Sequence, residues 1–135
     1  ISSEGCSHRG SGIDWWCQRI DPRIQRASVL VRFASLGSGS RGNGSVVASD
    51  STTVLVDCGF TYKEAIARLK RLKVDPDSLS GILVTHEHSD HASGIEGLAN
   101  RHNIPVYASR GTWIEIGHDI CNYSHVISGL FSIGN

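Results

Sequence analysis

The sequence has no excess of either charge. Its 13 basic and 13 acidic side chains cancel, so no global field draws it to nucleic acid or to a membrane surface, although local patches stay open. No apolar run approaches the ~20 residues that a membrane-spanning helix requires. The N-terminus has no apolar h-region of the kind that marks a secretory signal. The four cysteines, Cys6, Cys17, Cys58 and Cys121, include no C-x-x-C pair, and their separations fit no zinc-ribbon or redox template. They read as free thiols of a reducing, cytoplasmic compartment rather than as a disulfide scaffold. The 135 residues suffice for one domain with a real core and are short for two. There is no internal repeat and no low-complexity tract.

Glycine, by contrast, is concentrated. In "LGSGSRGNG" (36–44), Gly37, Gly39 and Gly42 spell G-x-G-x-x-G, and Asp57 follows 20 residues after Gly37. That is the dinucleotide-binding fingerprint, in which the last glycine opens a helix whose N-terminus holds a pyrophosphate. Here "NGSVVASD" follows, with Gly44 and the β-branched Val46 and Val47, which favour strand over helix. The spacing therefore predicts a tight strand-to-strand turn, and nucleotide binding is disfavoured.

Residues 1–30 carry no sustained periodicity. From Val31 the texture changes. Strands are expected over 31–36, 45–49 and 52–59. A helix should follow, started by the T-x-x-E box of Thr61 and Glu64, with Ala65, Ile66, Leu69 and Leu72 on its apolar stripe, and ended by Asp75-Pro76. "GILVTH" (81–86) reads as a strand buried on both faces. A helix over about 93–102 buries Ile95, Leu98 and Ala99, a strand covers 104–109, and another helix runs from Thr112 to about Ile120. Trp113 and Ile116 fit its core stripe. A hairpin run followed by alternating strands and helices predicts a layered α/β fold with a mixed sheet and flanking helices.

The chemistry concentrates in "VTHEHSDHASG" (84–94). His86, His88, Asp90 and His91 form H-x-H-x-D-H where a buried strand meets a loop. Imidazole and carboxylate are the donors that zinc and related divalent ions accept. In an extended stretch His86 and His88 point the same way and can reach one ion. A turn at Ser89 sends Asp90 and His91 towards a second position, ~3.5–4 Å away as in two-metal hydrolases. Glu87 and Ser89 face solvent in this picture. The remaining histidines (His8, His102, His118, His125) have no ligand spacing. The basic helix face of Lys63, Arg68, Lys70, Arg71 and Lys73 reads either as a nucleic-acid contact or as the solvated side of an amphipathic helix.

H-x-H-x-D-H after a strand resembles the signature of the metallo-β-lactamase superfamily. With "RFASLGSGSRGNG", "VLVDCGF" and "ILVTHEHSDHASGI", the stretch from Val31 to about Asn135 is similar to its YycJ/WalJ (VicX) branch, bacterial metal-dependent phosphodiesterases with exonuclease activity on double-stranded DNA. The resemblance implies the N-terminal half of an αββα sandwich. It implies two divalent metal ions, Zn2+ first and Mn2+ as the other choice, with His86 and His88 on one ion and Asp90 and His91 on the second. Asp90 would also position or deprotonate the attacking water. Asp57 would support the metal loop from beneath, the competing reading being a plain strand-end turn residue. The Ser38–Gly44 loop would lie at the rim, where backbone amides, Ser38, Ser40, Arg41 and Asn43 could meet substrate phosphate; a simple hairpin loop is the competing reading. DNA is the implied substrate, in the cytoplasm and with no membrane partner. The same motif serves hydrolases of RNA, thioesters and lactones, while nothing directs export, which argues against a β-lactamase proper.

The family has a later His, a bridging Asp and a final His that this sequence does not reach, and "GLFSIGN" resembles the strand before that segment. The expectation is therefore an N-terminal half whose exposed sheet leaves it poorly stable and inactive by itself, so a catalytically incompetent fragment or metal-binding module is the alternative to an enzyme. Related proteins begin near Val31, which a GUG start would explain, so residues 1–30 are expected to be a disordered or non-native extension and 31–135 the truncated domain.

Overall fold

The computed structural model describes residues 30–134 together with the two-residue strand Trp16–Cys17; the expectation for residues 1–30 otherwise lies outside the described residues. Seven strands form one sheet in sequential order. β1 (Trp16–Cys17), β2 (Arg32–Gly37), β3 (Gly44–Ala48) and β4 (Thr53–Val56) run antiparallel. β5 (Gly81–Val84), β6 (Val106–Ser109) and β7 (Ser124–Ile127) then add in parallel. The expected change from hairpins to strand–helix alternation thus falls at β4. β1 lies against Phe33 and Arg32 of β2.

G-x-G-x-x-G is a strand-to-strand turn. Gly37 of β2 pairs with Gly44 of β3, Gly42 N–H closes the loop onto Gly39 O at 3.2 Å, and no helix follows. Gly39 has φ +135°, a backbone region open to glycine and costly for other residues.

α1 (Tyr62–Arg71) begins as its box predicts. Thr61 Oγ1 accepts from Glu64 N–H at 3.3 Å, and Glu64 Oε2 accepts from Thr61 N–H at 3.2 Å. The following helices are α2 (Ser89–Ala92), α3 (Ile95–His102) and α4 (Arg110–Ile116). α4 stops four residues before Ile120 because Gly117 takes φ +95° and turns the chain. Alternation sends Val46, Leu55, Ile82, Val84, Val106 and Ala108 to one face of the sheet. There they share a core with Ala65 and Leu69 of α1, Ile95 and Leu98 of α3, and Trp113 of α4.

The other sheet face is covered less completely. Val47, Val54, Val56, Leu83 and Tyr107 are only half-buried, so β5 is not sealed on both sides as its apolar sequence suggested. The stretch after β7 reaches this face: Ile133 approaches Gly81, and Phe131 stacks on Tyr107 with centroids 6.3 Å apart. Residues 129–134 form no strand, so the strand that "GLFSIGN" resembles is not formed there; Gly129, at φ +68°, turns the chain after β7. No helix among the described residues is long and apolar enough to cross a membrane.

Candidate metal centre

Three backbone segments meet at the C-terminal ends of β4 and β5: the loop end 42–44, the β4–α1 connection 57–60, and residues 85–94. Asn43 N–H donates to Asp90 O (2.7 Å), Cys58 N–H to His91 O (2.7 Å), Gly59 N–H to Asn43 O (2.9 Å) and Gly94 N–H to Cys58 O (2.8 Å). The approach is so close that only hydrogen fits on two of the Cα atoms. A Cβ on Gly59 would overlap the Asp90 carbonyl, and one on Gly94 would overlap the Phe60 carbonyl.

Asp57 is the buried polar hinge of this junction, 6% exposed. It sits in the left-handed region at φ +60°, which Asp tolerates better than most side chains. Its carboxylate accepts from Thr85 N–H (2.8 Å), Thr85 Oγ1–H (2.7 Å) and His91 Nδ1 (2.8 Å). A carboxylate can only accept, so Thr85 spends its one hydroxyl proton there. The 3.0 Å contact between Thr85 Oγ1 and His86 Nδ1 must then be donated by the imidazole. Both His86 and His91 are thereby oriented through Nδ1, which leaves Nε2 as the ring nitrogen outside these hydrogen bonds. This is the arrangement in which an outer partner orients a metal-ligating imidazole.

The contacts among the motif's four side chains are pairwise: His86 with His91 and with His88, and Asp90 with His91. His86 lies with its ring centroid 4.0 Å from that of His91 and 4.8 Å from that of His88. Asp90 Oδ2 is 3.6 Å from His91 Nε2. Asp90 and His91 occupy the short α2, which His88 opens by accepting from His91 N–H (2.8 Å). His88 itself is largely solvent-exposed, its Nε2 3.9 Å from Glu87 Oε1. Among the described residues, no three His, Cys, Asp or Glu side chains are already gathered as around one ion. The donor set fits a divalent cation in kind, imidazole and carboxylate being the donors such ions accept. Cys58, adjacent to Asp57, is no competitor: burial pushes its thiol up to about 11, so it stays a neutral core residue.

The glycine-turn residues divide. Ser38, Ser40 and Arg41 are exposed and line, with Phe60, Glu64 and Arg68, a cavity of about 510 Å3 that does not include the motif's four side chains. Asn43 instead turns inward, its Nδ2 donating to Asp90 Oδ2 at 3.0 Å and to Gly39 O at 2.9 Å. Of the basic face on α1, Arg68 is committed to the fold: it donates to Leu36 O (2.6 Å) and lies 4.2 Å over the Phe60 ring, while Lys63, Lys70, Arg71 and Lys73 are exposed. Three of the histidines without ligand spacing pack elsewhere, His102 against Tyr62 and Asp77, His118 on Trp113 and His125 on Tyr107. Sequence reasoning missed Thr85, Gly59 and Gly94, whose roles exist only through contacts between distant segments.

Residues 37–120 match the family model described as the metallo-β-lactamase superfamily. The chain belongs to that superfamily. It is 41% identical over 105 residues to a protein named exodeoxyribonuclease YycJ from Bacillus anthracis, a match covering 78% of this chain and 40% of that protein. It is 37% identical over 82 residues to exodeoxyribonuclease WalJ from Streptococcus pneumoniae, covering 61% of this chain and 30% of the relative. The resemblance is thus to the YycJ/WalJ-like branch of the superfamily, and this chain spans well under half the length of either relative. Among solved structures, the Rm3 metallo-β-lactamase superposes with a TM-score of 0.62 at 25% identity, over 76% of this chain and 45% of that one. The mixed sheet and its helices therefore correspond to part of the metallo-β-lactamase fold.

Proposed function

We propose that this superfamily chain carries metal ligands of a phosphodiesterase that degrades DNA from its ends. The observation that carries the metal reading is the pair of imidazoles, His86 and His91, oriented through Nδ1 by Thr85 and the buried Asp57. The substrate class rests on the names of the two exodeoxyribonuclease relatives.

His86 and His88 would hold a first divalent ion, Zn2+ or Mn2+, and Asp90 and His91 a second. Such a pair supplies Lewis acidity, lowers the pKa of a water molecule and offsets charge on phosphoryl oxygens. The chain's own groups do the rest. Asp57 keeps the His91 proton on Nδ1. Asp90 Oδ1, which has no hydrogen-bond partner among the described residues, orients the attacking water and receives its proton. The exposed Ser38, Ser40 and Arg41 are the groups of the glycine turn that would meet a phosphate of the strand being cut, since the Gly39, Gly42 and Asn43 amides are engaged within the fold.

Incubation of end-labelled linear duplex DNA and Mn2+ or Zn2+ with this segment in a protein that also carries the later His, Asp and His ligands tests this. Release of label from the ends, abolished by Asp90→Asn and by chelation, is expected. Intact DNA alongside turnover of an RNA, a thioester or a lactone contradicts the substrate class and leaves the metal reading standing.

A further inference from the structure

Asn43, in the glycine turn, is the most heavily bonded polar side chain around the motif. Its Oδ1 accepts from Gly39 N–H at 3.0 Å, and its Nδ2 donates to Gly39 O at 2.9 Å. The two groups of one glycine thus fix which end of the amide is which. The second Nδ2 proton then points at Asp90, reaching Oδ2 at 3.0 Å and the backbone O at 3.2 Å. The Asn43 backbone repeats the tie, donating to Asp90 O at 2.7 Å and accepting from Gly59 N–H at 2.9 Å.

We propose that Asn43 is the positioning residue of Asp90. By engaging Oδ2, which lies 3.6 Å from His91 Nε2, it holds that carboxylate beside the His91 imidazole, and it couples the carboxylate's orientation to the shape of the Gly39–Gly42 turn. The proposal rests on Asp90 being a ligand, as argued above. An amide suits the task because it donates without adding charge; a carboxylate at position 43 would repel Asp90. The neighbours leave Asn43 little freedom. A Cβ on Gly42 would meet the Phe60 ring and Gly59 O at 2.6–2.8 Å, and one on Gly44 would meet Asp57 O at 3.0 Å, so the turn lies flat against the β4–α1 connection and aims the side chain at Asp90.

The test is a double-mutant cycle on Co2+ affinity, read from visible absorption of the metal-loaded protein, for the wild type, Asn43→Ala, Asp90→Asn and the double variant. Thermal unfolding of each metal-free variant establishes that it is folded. Loss of an outer partner of a metal ligand costs about 10–100-fold in affinity, and that loss is expected for Asn43→Ala. In the Asp90→Asn background the same substitution should cost less than about threefold, since a residue acting through Asp90 has nothing left to act on. Equal losses in both backgrounds, or no loss in either, overturn the positioning role while leaving the metal site intact. A wild-type protein that takes up no Co2+ overturns the metal reading and the role of Asn43 with it.

Discussion

Asp57→Ala should damage the fold before any metal is added. The carboxylate is buried and receives three donors, from Thr85 N–H, Thr85 Oγ1–H and His91 Nδ1. A hydrogen bond to a charged group contributes about 1.5–3 kcal/mol net, and since Thr85 is exposed and His91 half-buried, their freed donors regain water without a further desolvation penalty. The three bonds share one acceptor and are not additive, so the expected loss is about 3–5 kcal/mol, a large part of the ~5–15 kcal/mol that holds a typical domain together. Alanine also fits the φ of +60° poorly, which adds to the loss. Asp57→Asn keeps one acceptor oxygen and the tolerance for that backbone, and should cost about 1–3 kcal/mol. Urea unfolding with chelator present, followed by far-UV circular dichroism, reads both values. An Asp57→Ala midpoint corresponding to less than about 0.5 kcal/mol of destabilisation, the scatter of ordinary surface changes, would refute the hinge role of this carboxylate.

Gly59→Ala forces a Cβ onto the Asp90 carbonyl, and because both partners are backbone the cost should reach or exceed the ~3 kcal/mol of severe overpacking; chemical unfolding beside the exposed Gly111→Ala checks it. Thr61→Ala removes the cap of α1 and should cost about 1 kcal/mol. Thr61 also holds the Glu64 carboxyl below its usual value, chiefly through its side-chain hydrogen bond. With the folded pKa depressed, that contribution is complete above the ordinary glutamate range and disappears as pH falls through the folded value. The stability gap between wild type and Thr61→Ala should therefore narrow on acidification below about pH 4, and a gap independent of pH would contradict the capping box.

Much of the molecule was written in local pattern. The capping box of Thr61 and Glu64 and the strand run from Arg32 to Val56 depend on neighbours within a few residues, and the structure places both where local pattern put them. For H-x-H-x-D-H, local pattern paired His86 with His88, whereas the structure sets His86 closest to His91. The glycine turn was also legible, because Val46 and Val47 cannot be mistaken for a helix start. What stayed hidden depends on contacts across long sequence separation. Gly59 and Gly94 look like ordinary loop glycines until Asp90 O and Phe60 O are seen against them. Asn43 and Asp90 are 47 residues apart, and nothing in either local sequence announces the bond. β7 escaped notice because Ser124–Ile127 mixes polar and apolar residues at an edge of the sheet, where burial imposes no clear alternation.

Zn2+ titrated into the metal-free protein by isothermal calorimetry addresses the H-x-H-x-D-H site without reference to substrate. Saturable binding is expected, weakened at least about tenfold by His91→Ala, whose imidazole is the one anchored by Asp57, and also by His86→Ala. Binding indifferent to both substitutions, or no binding by the wild type, would mean that these side chains do not form a metal centre.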